Sequence, residues 1–289
     1  MEKRISGTTS LYSLIGTPVG HLGSPAMYNY SFQKLGIDSA YLAFDISLEK
    51  VPDAISAIRT LNIKGSNVTM PCKNEVIKYM DELSPAARIV GAVNTIINNN
   101  GKLTGHITDG VGLVRSLKEQ GVDVKDKSIT IIGAGGAATA IQVQSALDGA
   151  RRISIFNIKD DFYTRAEKTI EKIKKEVPEC IVEVFDLADR QKLREKISSS
   201  DILVNATKVG MYPHKDESPI KDTKIFRKGL VVSDTVYNPR KTKFLKDAEA
   251  AGCKIIEGTK MLLWQGAESF KLYTGLEMPA KEVEELYFK

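Results

Sequence analysis

The sequence predicts an α/β protein of two domains, and three observations lead there. Between residues 128 and 257, short β-rich runs alternate with amphipathic helical runs, the pattern of a doubly wound parallel sheet with helices on both faces. One of those strand-to-helix junctions is a glycine-rich turn. The chain has 289 residues, enough for two moderate domains that each bury a core. Strands are expected at 129–132, 153–156, 181–185, 202–204, 230–233 and 254–256. Between them, Ala166, Ile170, Ile173 and Val177 mark one face of a helix whose other face carries Glu and Lys.

The first 108 residues are α/β as well, with strands expected at 11–15, 40–44 and 65–70. Val51, Ala54, Ile55, Ile58 and Leu61 form a helical stripe there. From Thr259 the chain turns helical through Met261, Leu262, Phe270 and Leu272. Pro279 then opens a last helix carrying Val283, Leu286 and Tyr287. The expected division is 1–108 with 258–289 as one domain and 109–257 as the other. No internal repeat or low-complexity tract interrupts this plan.

Composition narrows the function classes. With 42% hydrophobic and 27% charged residues, the chain is neither disordered, collagen-like nor disulfide-rich. Cys72, Cys180 and Cys253 lie far apart with no C-x-x-C pair, which points to a reducing cytoplasm. No secretory h-region opens the sequence and no apolar run approaches about 18 residues, so neither secretion nor a membrane partner is expected. His21, His106 and His214 have no ligand-like spacing, so no metal is expected. The 41 Lys+Arg against 36 Asp+Glu leave a net +5, but the basic residues interleave with Glu and cluster only in pairs. A nucleic-acid partner needs a basic stripe and a recognisable module, and neither is evident.

The glycine-rich turn carries chemistry. A strand candidate runs into Gly133, Ala134, Gly135, Gly136, Ala137 and Ala138, and a helical run follows. This is G-x-G-x-x-A in its required setting. Gly133 allows the turn, Gly135 lets the backbone approach a pyrophosphate, and Ala138 keeps helix and strand close. The helix N-terminus supplies N–H groups and a positive dipole end for phosphates. A Rossmann-type NAD(P)-binding domain is therefore expected over 109–257. At the end of the next strand stand Asn157 and, 22 residues beyond Ala138, Asp160. A carboxylate there takes ribose hydroxyls and repels a 2′-phosphate, which favours NAD, with NADP as the alternative. Asp160 and Asp161 would equally serve as caps of the helix that follows.

The N-terminal half carries polar clusters that a bare scaffold would not need. They are Gly16-Thr-Pro18 with His21-Leu-Gly-Ser-Pro25, Ser66-Asn-Val-Thr-Met-Pro-Cys-Lys73, Ala92-Val-Asn-Thr95 and Gly105-His-Ile-Thr-Asp-Gly110. Later come Asn205-Ala-Thr-Lys-Val-Gly-Met211, Asp234-Thr-Val-Tyr-Asn-Pro239 and Glu257-Gly-Thr-Lys-Met-Leu-Leu-Trp-Gln-Gly266. Singly, each reads as turn chemistry. Together and in this order they resemble the shikimate dehydrogenase family over nearly the whole chain. The stretch from Phe156 to Phe162, lacking the Arg pair of NADP-gripping members, looks most like the quinate/shikimate dehydrogenase branch.

The resemblance implies reversible oxidation of a ring hydroxyl of shikimate or quinate, giving 3-dehydroshikimate or 3-dehydroquinate, with hydride passing to the nicotinamide. Lys73 and Asp109 match the catalytic pair, Lys73 serving as the base or as part of a relay with Asp109. Asn67, Thr69, Asn94 and Gln265 match residues that bind the ring hydroxyls, and Ser24 and Tyr237 those at the carboxylate. Thr207, Lys208, Met211 and Gly258 match positions on the cofactor side. Homodimerisation stays open.

Two positions depart from the family pattern. Leu22 replaces the first hydroxyl of the usual His-Ser-x-Ser-Pro, removing one donor to the carboxylate, a loss of roughly 1.5–3 kcal/mol unless Thr9 or Tyr12 supplies another. Ile107 stands where Asn commonly precedes Thr-Asp. Two readings compete with the NAD-preferring enzyme: an NADP-dependent biosynthetic shikimate dehydrogenase, and a non-catalytic nucleotide-binding sensor of the same fold.

Overall fold

The computed structural model describes residues 5–288. The chain divides into two compact α/β units, the first ending at Thr108 and resuming at Gln265, the second running from Asp109 to Trp264.

The first unit is built from β1 (Ser10–Gly16), α1 (Ser24–Lys34), β2 (Ser39–Asp45), α2 (Val51–Thr60), β3 (Gly65–Val68), β4 (Glu82–Leu83), α3 (Pro85–Val90), β5 (Thr95–Asn99) and β6 (Lys102–His106). Its sheet has the order β2-β1-β3-β5-β6-β4 among the described residues. β1 pairs in parallel with β2 and β3, whereas β5 runs antiparallel to both β3 and β6. The β5–β6 hairpin escapes periodicity because polar Asn98 and Asn99 end one strand and Lys102 begins the other. β3 stops at Val68, two residues short of expectation. Leu61 lies past the end of α2 as its C-cap and is exposed, so that stripe ends at Ile58.

The second unit contains α4 (Asp109–Glu119), β7 (Ser128–Ile132), α5 (Gly136–Leu147), β8 (Arg152–Asn157), α6 (Asp161–Glu176), β9 (Ile181–Asp186), α7 (Arg190–Ser198), β10 (Ile202–Asn205), β11 (Val231–Asp234), α8 (Lys243–Ala250), β12 (Lys254–Ile256) and the start of α9 (Gly258–Thr274). Its sheet has the order β12-β11-β10-β7-β8-β9 and every pairing is parallel. Strand order reverses between β7 and β10, and ligands of such sheets bind outside the carboxyl ends at that reversal. β7 is buried along its whole length, as expected of a strand covered on both faces. α5 is buried over most of its surface, with α4 packed against it. Gly110 permits that contact: a Cβ there would stand 2.2 Å from the Ala140 carbonyl oxygen.

The expected return to the first unit at residue 258 falls a little later. Residues 258–264 of α9 belong with the second unit, since Lys260 and Trp264 both engage Glu119 of α4 at 3.3 and 3.0 Å. The Arg115 guanidinium covers the Trp264 ring at 4.6 Å. α10 (Ala280–Tyr287) closes the first unit against α1, where Glu282 accepts from the Tyr30 hydroxyl at 2.6 Å and pairs with Lys34 at 2.8 Å. Of its expected apolar face only Val283 is buried, with Leu286 and Tyr287 exposed. Cys72, Cys180 and Cys253 are all buried free thiols. No described helix is long and apolar enough to cross a membrane.

Candidate active site

The topology of the first sheet gathers polar residues at one of its ends. β3 ends at Asn67 and Val68, with Thr69 just beyond it. Asn94 lies immediately before β5, antiparallel to β3, and β6 leads back to Thr108. The result is a buried hydrogen-bonded network. Asn94 Nδ2 donates to Thr108 Oγ1 at 3.0 Å, and its Oδ1 accepts the Thr108 N–H and the Thr95 hydroxyl, each at 2.9 Å. Asn67 Nδ2 faces the Asn94 carbonyl, Thr95 Oγ1 and Ser269 Oγ at 3.2, 3.3 and 3.2 Å. Its Oδ1 accepts from the Tyr41 hydroxyl at 2.7 Å. Ser269 on α9 also meets the Thr95 and Thr108 hydroxyls at 2.8 and 3.2 Å and donates to the Gln265 carbonyl at 3.1 Å.

This network ties together Asn67, Asn94 and the backbone of Gln265 from the expected set. It adds Tyr41 and Ser269, which lie in none of the sequence motifs, and Thr95 and Thr108, which lie in two of them without an assigned role. A signal existed for Tyr41: a Tyr rather than a Phe in a buried strand position implies a partner for its hydroxyl. Thr69 and Lys73 are half-buried in the turn after β3, where the Lys73 carbonyl accepts the Val93 N–H at 2.9 Å. Cys72, beside Lys73, is wholly buried, and desolvation pushes its thiol up. His106 is held below the usual imidazole range by burial, with Glu268 pulling the other way. No group of three or more His, Cys, Asp or Glu side chains that could hold a metal ion occurs among the described residues.

Ser24 is the first residue of α1, following an N-cap Gly23 that provides no side-chain cap. Thr9 immediately precedes β1 and Tyr12 is its third residue, roughly 23 and 13 Å along an extended strand from its other end. Their hydroxyls are used there, Thr9 donating to Asp38 at 2.9 Å and Tyr12 to the Tyr273 carbonyl at 3.3 Å.

In the second unit the glycine loop sits at the strand-order reversal. Gly133 has φ +112, and a Cβ there would lie 2.7 Å from the Ala206 carbonyl oxygen at the end of neighbouring β10. Both the positive φ and this approach exclude a side chain. Gln142, fully buried in α5, donates to the Gly133 carbonyl at 3.2 Å and so anchors the turn from behind. Gly135 caps α5 and Gly136 opens it, and nothing stands within 4 Å of where their Cβ atoms would be. Bare amides at a helix start with open space before them fit a pyrophosphate, so the residues present suit a dinucleotide. Ala134 and Ala138 are buried behind the loop, while Ala137 is exposed in the first turn of α5.

At the end of β8, Asp160 Oδ1 accepts the Phe162 and Tyr163 N–H groups at 3.0 and 3.1 Å, capping α6, and an Asn157 amide hydrogen at 2.8 Å. After β10, the Thr207 hydroxyl donates to Asn205 Oδ1 at 2.7 Å and accepts the Val209 N–H at 3.1 Å. Lys208 and Met211 are exposed on the same loop, as is Tyr237 after β11. Gly258 begins α9 against the Val236 carbonyl, from which a Cβ would be 2.5 Å away.

Beneath these loops lies Asp234, fully buried at the end of β11. It accepts from Asn205 Nδ2, the Val236 N–H and the Thr242 hydroxyl at 3.0, 2.9 and 2.6 Å. Burial pushes its carboxyl up to about 6 despite those donors.

Comparison with known proteins points to one family. A family model described as the shikimate dehydrogenase substrate binding domain matches residues 14–96, and one described as the shikimate 5'-dehydrogenase C-terminal domain matches residues 258–286. Shikimate dehydrogenase (NADP(+)) of Listeria monocytogenes is 50% identical over 288 residues, covering 100% of this chain and 99% of that protein. The quinate/shikimate dehydrogenase of Escherichia coli is 44% identical over 281 residues, covering 96% and 97%. The crystal structure of Listeria monocytogenes shikimate 5-dehydrogenase with shikimate and NAD superposes with a TM-score of 0.96 at 50% identity over 99% of both chains. The chain belongs to the shikimate dehydrogenase family, a family of oxidoreductase enzymes.

Proposed function

We propose that this protein oxidises a ring hydroxyl of shikimate reversibly, with NAD preferred over NADP and quinate as a second substrate. The first unit binds the cyclic polyol and the second the dinucleotide. The observation that carries this reading is the hydrogen-bonded network of Asn67, Asn94 and Thr108 at one end of the first sheet, in a chain whose second sheet bears a glycine loop at its order reversal. Three buried thiols suit work in a reducing cytoplasm.

The bound nicotinamide supplies the hydride acceptor. The chain's own task is to take the proton of the reacting hydroxyl, and Lys73 with Asp109 forms the acid/base pair. Asn67, Thr69, Asn94 and Gln265 hold the ring, and Ser24 and Tyr237 hold its carboxylate. The backbone from Gly133 to Ala137 cradles the phosphates, and Thr207, Lys208, Met211 and Gly258 line the nicotinamide end.

The cofactor preference rests on the β8–α6 turn. Asn157 and the capping bonds hold Asp160 in one orientation, with a second acid, Asp161, beside it. Fixed negative charge there opposes a 2′-phosphate. The relatives named for NADP(+) support the opposite preference. Initial rates with shikimate and quinate, each against NAD and NADP, separate the two readings. NAD with shikimate is expected to be fastest, and reduction with NADP alone would reverse the preference. Asp160→Asn retains the cap oxygen and removes the charge, so it should lower KM for NADP roughly tenfold while moving that for NAD little. An unchanged ratio would remove Asp160 from the ribose.

A further inference from the structure

We propose that Tyr41 is a positioning residue that holds Asn67 as a hydrogen-bond acceptor, so that Asn67 reads a ring hydroxyl that the reaction leaves untouched. The inference rests on the reading of Asn67 as a substrate residue.

Tyr41 is fully buried in β2, and its ring stacks on Tyr28 with centroids 4.4 Å apart. A phenylalanine would serve that packing equally. What the hydroxyl adds is one bond among the described residues, to Asn67 Oδ1 at 2.7 Å. Burial holds the Tyr41 phenol well above its ordinary range, so it remains a donor at every working pH.

The other end of the amide is already committed. Asn67 Nδ2 carries two hydrogens and faces the Asn94 carbonyl, Thr95 Oγ1 and Ser269 Oγ. The oxygen of the Tyr28 hydroxyl, which donates to the Gly266 carbonyl, is a further neighbour. The Asn94 carbonyl cannot donate, so the nitrogen belongs on that side. Tyr41 fills one lone pair of Oδ1 on the opposite side and holds the amide plane. The capacity left to the side chain is the second lone pair of Oδ1.

An acceptor needs a donor opposite it, and a ring carbonyl is not one. The reacting carbon alternates between hydroxyl and carbonyl. Asn67 therefore suits a hydroxyl at a neighbouring carbon, present in substrate and product alike. Without the Tyr41 hydroxyl, the oxygen loses the partner that fixes its aim.

The test compares Tyr41→Phe, Asn67→Ala and the double variant of the full-length protein. KM and kcat are measured for shikimate and for 3-dehydroshikimate, with circular dichroism and Tm as checks of folding. Tyr41→Phe should raise both KM values by the same factor, roughly tenfold, with kcat changed far less and cofactor KM unchanged. The double variant should match Asn67→Ala, because Tyr41 acts through Asn67. An unchanged KM in Tyr41→Phe, losses that multiply in the double variant, or an effect confined to one of the two ligands overturns the inference alone. An unchanged KM in Asn67→Ala overturns it together with the substrate assignment of Asn67. Should Tyr41→Phe lower Tm, calorimetric binding of shikimate well below that Tm replaces the kinetics, and wild-type affinity there overturns the inference.

Discussion

The two units bury their polar groups in opposite ways. In the first, amides and hydroxyls from strands β3 and β5, the Thr108 corner and helix α9 meet in one network inside the fold, with Ser269 as its common member. In the second, β7, β8 and β10 mix Ile, Val and Leu with single buried polar residues such as Thr130, Ser154 and Asn205, and the glycine loop lies beyond their carboxyl ends. The contrast follows from the ligands assigned to each. A small ring with several hydroxyls is discriminated by donors and acceptors that cannot reorient, and a packed network supplies that rigidity. A dinucleotide is held largely by phosphates, for which backbone amides at a helix start suffice. On the proposed assignment, binding and selection should separate by unit.

The largest expected break in that comparison is Lys73→Ala. Turnover should fall by at least about 10²–10⁴, while NAD(P) affinity measured by fluorescence titration stays near wild type. Turnover close to normal would remove Lys73 from the chemistry, and a parallel loss of cofactor affinity would undo the separation.

A second, of intermediate size, concerns the one carboxylate that the second unit does bury. The folded value of about 6 for Asp234 lies above the roughly 3.9 of an unfolded chain. The protonated form is thus the better fit in the fold. Its contribution is complete below about pH 4 and lost as pH rises through 6. Against Asp234→Asn, which does not titrate, wild type should lose on the order of 3 kcal/mol between those limits in urea unfolding. A pH-independent difference between the two would place Asp234's titration elsewhere.

The smallest is Leu22→Ser, which returns a hydroxyl beside the N-terminus of α1. It should lower KM for shikimate about tenfold and leave the cofactor KM alone. No change would mean that the carboxylate is held without that loop.

The legibility of each half in the sequence follows the same divide. The parallel unit was readable because its buried strands are rich in Ile, Val and Leu and its loop needs glycines. The β7-to-α5 junction accordingly falls where the turn chemistry puts it, with α5 starting two residues before the apolar run. The β5–β6 hairpin was not, because Asn98, Asn99 and Lys102 imitate a loop. Among site residues, those beside Pro or Gly stood out as more than scaffold. Tyr41 and Ser269 did not, since each lies inside a regular element and matters only through what topology brings against it.

The buried thiols have a practical consequence. Cys72 and Cys253 are raised by desolvation, and Cys180 is pushed up to about 11, so little thiolate exists near neutral pH. Maleimides and disulfide reagents consequently reach these sulfurs only when the surrounding structure opens. Modification rates then report local opening in each half, Cys72 for the segment carrying Lys73 and Cys180 with Cys253 for the parallel sheet. A cysteine introduced on the surface would carry a label almost alone.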